Sequence, residues 1–279
     1  MPVTKLVKLI EEKLNTIEKY VVFFALFSFI IHLALIFVNI QVGLNGQIQD
    51  YIGRNYLFAI ATPLNIILFY EIFCLILALP KSIFVSVMLQ MEVVALILVR
   101  QVFKIIAEAE NISEAFQNQY FVVNLVLFFG GSILAFALTA VFRIITKELI
   151  KKDYKQGRIY IFKSTITFLF LIILGFLAIY ELGLILPIVW GGVANGFDYI
   201  STVFFILIFV DVIVFLTALY YTDDFGIVFM DTAFILAGIF LRFAITFDGI
   251  YKVATILLSM LGIILIILVY KHLWQKLSY

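Results

Sequence analysis

The residues of this chain that could do chemistry are ionisable groups set inside long apolar runs. Glu71 lies in LFYEIFCLILALP (68–80), and Glu92 lies in MEVVALILVR (91–100), which ends on Arg100. Asp211 lies in FVDVIVFLTALY (209–220), and Asp231 and Arg242 lie in MDTAFILAGIFLR (230–242). His32 interrupts the first apolar run. Two carboxylates held close together can keep a proton between them, because like charges resist joint ionisation. A histidine beside them could supply a positive partner or relay a proton. Arg100 and Arg242 could grip an anion, or snorkel to an interface and merely anchor their helices. If these segments cross a membrane, each ionisable group at the centre costs at least about 2.5–3.5 kcal/mol. Each therefore needs a partner, a proton or water, and the plainer role for all of them is polar glue between helices.

The elements that would position these groups are membrane helices. The chain is 65% hydrophobic and 13% charged, against about 45–50% apolar and roughly 25% charged for a soluble domain. Mean hydropathy is +1.18. Apolar runs of about 20 residues match a helix crossing about 30 Å of hydrocarbon, whereas a barrel would show alternating segments of about 10 residues. The expected fold is all-α and polytopic, with eight transmembrane helices over 20–42, 57–79, 82–106, 120–146, 160–187, 199–220, 226–247 and 251–272. KLVKLIEEKLNTIEK (5–19) reads as an amphipathic helix lying on the interface. Gly130-Gly131 in the fourth span suits close helix packing. No cleavable signal peptide is expected, because the first apolar run is span-length.

Basic residues set the orientation. Lys5, Lys8, Lys13 and Lys19 precede the first span. Arg143, Lys147, Lys151, Lys152, Lys155, Arg158 and Lys163 cluster between spans four and five, and Lys271 and Lys276 follow the last span. Eight spans put all of these on one side, so both termini are expected in the cytoplasm of a cell (plasma or inner) membrane.

Hairpins at LPKS and YYTDDF fold the acids together. Glu71 stands ten residues before Lys81 and Glu92 eleven after it, so a rise of about 1.5 Å per residue sets them at nearly one depth. Asp211 and Asp231 repeat this around the second turn. His32 falls at a similar depth in the first span. By the same rise, Arg100 and Arg242 lie roughly 13 Å nearer the outer face, so neither is expected to bond the acids of its own hairpin.

The recurrence of acid, turn, Met-acid and Arg marks an internal duplication. Glu71 to Arg100 is 29 positions and Asp211 to Arg242 is 31. The expected organisation is an N-terminal amphipathic helix (1–19) and two parallel four-helix repeats (20–150 and 151–279), related by an axis along the membrane normal. This pattern resembles that of the phosphate-starvation-inducible PsiE-like membrane proteins, small four-span proteins with an acid in span two, often an acid early in span three, and an Arg late in span three. Glu71, Glu92 and Arg100 match it; Asp211, Asp231 and Arg242 match it with Asp in place of Glu. The resemblance implies a membrane location, a tandem fusion of two such units and a link to phosphate stress.

Two functions follow as expectations. One is a proton or small-cation pathway lined by Glu71, Glu92, Asp211, Asp231 and His32. The other is a non-transporting structural, sensory or assembly subunit whose acids fix helix packing. An enzyme is not expected: HExxH, a Cys/His metal set, a Gly-rich phosphate loop and a serine–histidine constellation are all missing. No cofactor and no metal are expected. The partners expected are the lipid bilayer and protons or small ions, with a homo-oligomer allowed. A net charge of +1 gives no electrostatic case for nucleic acid.

Overall fold

The computed structural model describes residues 7, 9–10, 12–43, 52–53, 55–81, 83–107, 109, 112–152, 158–189, 199–221 and 225–274. The long elements are helices: α1 (Leu14–Val42), α2 (Ala61–Ala78), α3 (Ile83–Ala107), α4 (Gln119–Lys152), α5 (Arg158–Val189), α6 (Tyr199–Tyr221), α7 (Phe225–Thr246) and α8 (Gly249–Val269). Seven described stretches are long and apolar enough to cross a bilayer: Thr16–Val42, Tyr56–Ala78, Ile83–Ala107, Gln119–Lys147, Tyr160–Tyr180, Val228–Thr246 and Gly249–His272. In α6 the described apolar stretch is the shorter Thr202–Thr217. Of the amphipathic helix expected over 5–19, residues 7, 9, 10 and 12 are helical, and Lys13 forms a turn before α1.

Local chemistry fixes the ends. Gly43 takes the left-handed conformation (φ 65°) and returns its N–H to the Asn39 carbonyl at 3.0 Å, closing α1 as glycine does after a helix. Asn39 itself reaches out to donate to the Gly53 carbonyl at 2.9 Å. The Asn55 side chain accepts from the Leu57 N–H at 3.0 Å and starts the 3₁₀ turn Tyr56–Ile60 that leads into α2. Asn118 accepts from the Tyr120 N–H at 2.9 Å and caps α4. Pro80 follows two residues after α2 ends, where its missing N–H and fixed ring stop a helix. Ser82 of the first hairpin and Thr222, Asp223 and Asp224 of the second lie outside the described residues.

Two apolar clusters organise the bundle. The first joins α3, α4, α7 and α8 through residues such as Met91, Leu98, Phe142, Phe234, Leu241, Met260 and Ile263. The second joins α2, α3, α5 and α6 through Ile72, Leu75, Ile97, Phe170, Leu174 and Leu207. α3 belongs to both, turning Met91 and Leu98 to one and Val93 and Ile97 to the other. α1 stands outside both and packs chiefly on α2 and the 3₁₀ turn before it. Its Phe23, Phe24, Phe27 and Phe37 face outward, as residues against acyl chains do. Between helices in lipid, the driving force is close van der Waals contact and not escape from water.

That contact is tightest where α4 crosses α8. A β-carbon added to Gly131 would lie 2.5 Å from Cγ1 of Val253, whereas Gly130 has open space beside it. Only the second glycine of the pair is the packing residue. Val253 is β-branched and held to one rotamer in a helix, so it cannot swing away. Gly131→Val is expected to destabilise the bundle by about 1–3 kcal/mol, the usual cost of overpacking. Val253→Ala should recover much of that loss, which a double-mutant cycle by denaturant unfolding in micelles would read as strong non-additivity.

Candidate functional site

The most deeply buried charges belong to α6 and α7. Nη1 of Arg242 donates to Oδ2 of Asp211, with the Arg242 side chain 2% exposed and that of Asp211 8%. This corrects the expectation that Arg242 lies too far along its helix to meet Asp211. Axial counting places the two α-carbons well apart, but it ignores side-chain direction. Helical Cα–Cβ bonds tilt toward the helix N-terminus. α6 runs toward the hairpin and α7 runs away from it, so Asp211 leans away from the turn and Arg242 leans back toward it. The length of the arginine stem closes the remaining gap.

The pair stands between two cavities. Arg242 lines one of about 310 Å³ together with Thr202, Phe205, Ile208, Phe243 and Thr246, at the ends of α6 and α7 away from their hairpin. Asp211 lines another of about 30 Å³ on the hairpin side with Lys81, Ser86, Gln90 and Lys163. Oε1 of Gln90 is buried and has no hydrogen-bond partner among the described residues, and Gln90 packs so closely on Gly238 that a β-carbon there would meet Oε1 at 2.6 Å.

The first hairpin is arranged differently. Glu92 on α3 accepts from Nη2 of Arg143 on α4 at 2.6 Å, in a partly exposed setting where the side chains are 25% and 64% accessible. Glu71 on α2 is half-buried and makes no hydrogen bond or ion pair to a described residue. It lies close enough to Glu92 and to Glu18 on α1 for their charges to act on it. The acids at 71 and 92 thus come together as their spacing predicts, joined by Glu18. Arg100 is half-buried further along α3.

His32 does not join them. Its Nε2 lies 3.0 Å from the carbonyl oxygen of Ile52, which can only accept, so Nε2 carries the proton and donates. Nδ1 lies 2.5 Å from the Thr62 hydroxyl, a group that can either donate or accept. Thr62 opens α2, nine residues before Glu71, about 13 Å along the helix. The expected common depth of His32 and the acids therefore fails: antiparallel α1 and α2 bring Glu18, not His32, toward Glu71. Both ring nitrogens of His32 are satisfied by the connection into α2, which is a structural role. Asp231 lies on α7, and its side chain is outside the described residues.

Sequence reasoning missed Arg143, Glu18, Gln90 and Lys163 as neighbours of the acids. Arg143 is the first charge after the apolar run of the fourth span, and antiparallel α3 and α4 bring that position beside Glu92; this signal was readable. Gln90 and Lys163 come from other parts of the chain and carry no such signal. Among the described residues no three His, Cys, Asp or Glu side chains converge as metal ligands. Comparison with protein-family models, curated proteins and solved structures finds no match.

Proposed function

We propose that this protein conducts protons across the cell membrane, with Glu71 as the group that takes and passes the proton and Glu92 and Glu18 as its neighbours. The observation that carries this reading is the placement of Glu71: a half-buried carboxyl in an apolar helix, with no hydrogen-bond partner among the described residues and two other carboxylates within electrostatic reach. An intramembrane acid left without a structural bond is poorly explained as glue and well explained as a proton carrier. Asp211 is bound to a guanidinium, so a small cation is disfavoured there by direct repulsion. The proposed pathway accordingly centres on Glu71, Glu92 and Glu18, and His32 and Asp211, each bound to a partner, are set aside.

The remaining features of the proposal are an eighth membrane span at α6, termini in the cytoplasm, and two parallel four-helix units of the PsiE-like kind with a link to phosphate stress. What supports the duplication is the order of packing. α1, α2, α3 and α4 pack in chain order, as do α5, α6, α7 and α8, and the halves meet where α3 touches α7, α4 touches α8 and, less extensively, α2 touches α5 and α3 touches α8. The first two contacts join equivalent helices, as a twofold axis requires, and the last two do not. The second reading, a non-transporting subunit held together by its polar groups, is favoured at His32 and at Asp211–Arg242, where each group has a partner.

Proteoliposomes loaded with a pH-sensitive dye and polarised with potassium and valinomycin test the proposal. The parent protein should acidify the lumen faster than protein-free vesicles. Glu71→Gln removes the titrating group without orphaning a partner, so it should fold normally and return the rate to that of empty vesicles. A folded Glu71→Gln protein with the parent's flux, or a parent no faster than lipid alone, defeats the reading.

A further inference from the structure

We propose that the cavity at the ends of α6 and α7 is a binding site for an amphiphilic anion, whose carboxylate or phosphate head is held by Arg242 and whose apolar body lies between the two helices. The site goes beyond the proton pathway, which uses other residues on other helices.

The guanidinium of Arg242 supplies the first argument. Among the described residues only Nη1 is engaged, by Asp211, and Nε and Nη2 are buried without a hydrogen-bond partner. These two N–H groups form the lateral fork of the guanidinium, the pair that grips two oxygens of one carboxylate or phosphate. Folded proteins seldom leave buried donors unpaired, least of all charged ones. Two orphaned donors on one fork call for an acceptor with two oxygens.

The cavity supplies the second. At about 310 Å³ it sits at the lower end of the range for small-molecule sites. Its walls are Phe204, Phe205, Ile208 and Phe243, with Thr202 and Thr246 beside the arginine. One cationic anchor with apolar walls matches an anion that carries a hydrocarbon body, not a fully hydrated ion. Phe205 and Phe243 face outward, 58% and 45% exposed, so the cavity opens on the side where acyl chains lie, and the ligand enters from the membrane. Arg242 is 2% exposed, so the head reaches the fork by displacing the side chains that cover it.

Local charge supplies the third. Arg242 is the charged residue that lines this cavity, while Lys81, Lys163 and Asp211 line the other one on the hairpin side. An arriving anion need not displace Asp211, which is held by Nη1, at the other end of the guanidinium.

Calorimetric titration of the intact protein in phosphatidylcholine nanodiscs, corrected against empty nanodiscs, tests the site with laurate, dodecyl phosphate, dodecanol, acetate and inorganic phosphate. Laurate and dodecyl phosphate should bind one per protein. Dodecanol should bind about tenfold weaker or worse, the scale of losing charge-assisted hydrogen bonds. Arg242→Lys keeps the charge and the bond to Asp211 but loses the fork, and should weaken laurate to the level of dodecanol. The double variant Asp211→Asn/Arg242→Gln, which leaves no buried charge, should lose laurate binding while folding. Equal binding of laurate and dodecanol means that the fork of Arg242 does not hold the head, and overturns the site. Acetate or inorganic phosphate binding as tightly as laurate overturns the amphiphile. If proton flux through Glu71 is seen and laurate does not bind, the anion site falls alone; if laurate binds in a protein without flux, the proton pathway falls alone.

Discussion

Asp211→Asn is expected to lower the stability of the folded protein by about 3–5 kcal/mol, the cost of breaking a buried ion pair from one side. The loss comes less from the bond itself than from what remains. Arg242 is 2% exposed, and among the described residues Asp211 is its one hydrogen-bond partner. A guanidinium cannot shed its proton at any ordinary pH, so the variant buries a full positive charge among apolar helices. Unfolding in mixed micelles should show the whole deficit at both pH 5 and pH 8. The double variant Asp211→Asn/Arg242→Gln should regain most of the parent's stability, because replacing a buried pair by neutral groups is often nearly free. A single variant as stable as the parent would mean that the pair contributes nothing to the fold.

Arg242→Gln should cost a similar amount, about 3–5 kcal/mol. The orphan is then Asp211, a carboxylate left among apolar helices without its guanidinium. The double variant Asp211→Asn/Arg242→Gln removes both charges, so its deficit should fall below that of either single variant, and a double-mutant cycle by unfolding in micelles should read strong non-additivity. Additive deficits would assign the effect to lost packing at each site.

The helices were legible because twenty-residue apolar runs admit little else, and Pro80 and the Gly130-Gly131 pair marked a helix end and a close crossing. The proximity of Glu71 and Glu92 was legible too, because a short hairpin makes distance from the turn a measure of depth. The same measure failed for Arg242. It locates α-carbons, while contact depends on where long side chains point, and at Asp211 and Arg242 they converge. It failed again for His32, where the position of α1 against α2 is set by His32, Thr62 and Ile52 themselves and not by a turn of fixed length. The two halves also differ in a way that spacing hints at: two residues more between acid and arginine turn a helix position by about 200°. Arg242 can therefore face Asp211 without Arg100 facing Glu71. The smaller cavity, and the meeting of Gln90 with Gly238, depend on contacts between the halves that no local pattern encodes.

The outlying position of α1 has a mechanical consequence. Neither apolar cluster includes a residue of this helix, and its attachments are to α2, to Thr62 and to the backbone at Ile52 and Gly53. A force applied at the amino end would peel α1 away as a first, low-force event with both clusters intact. The same force applied at the carboxyl end meets α8 and its seat against Gly131, and extracting that helix breaks the bundle open at once.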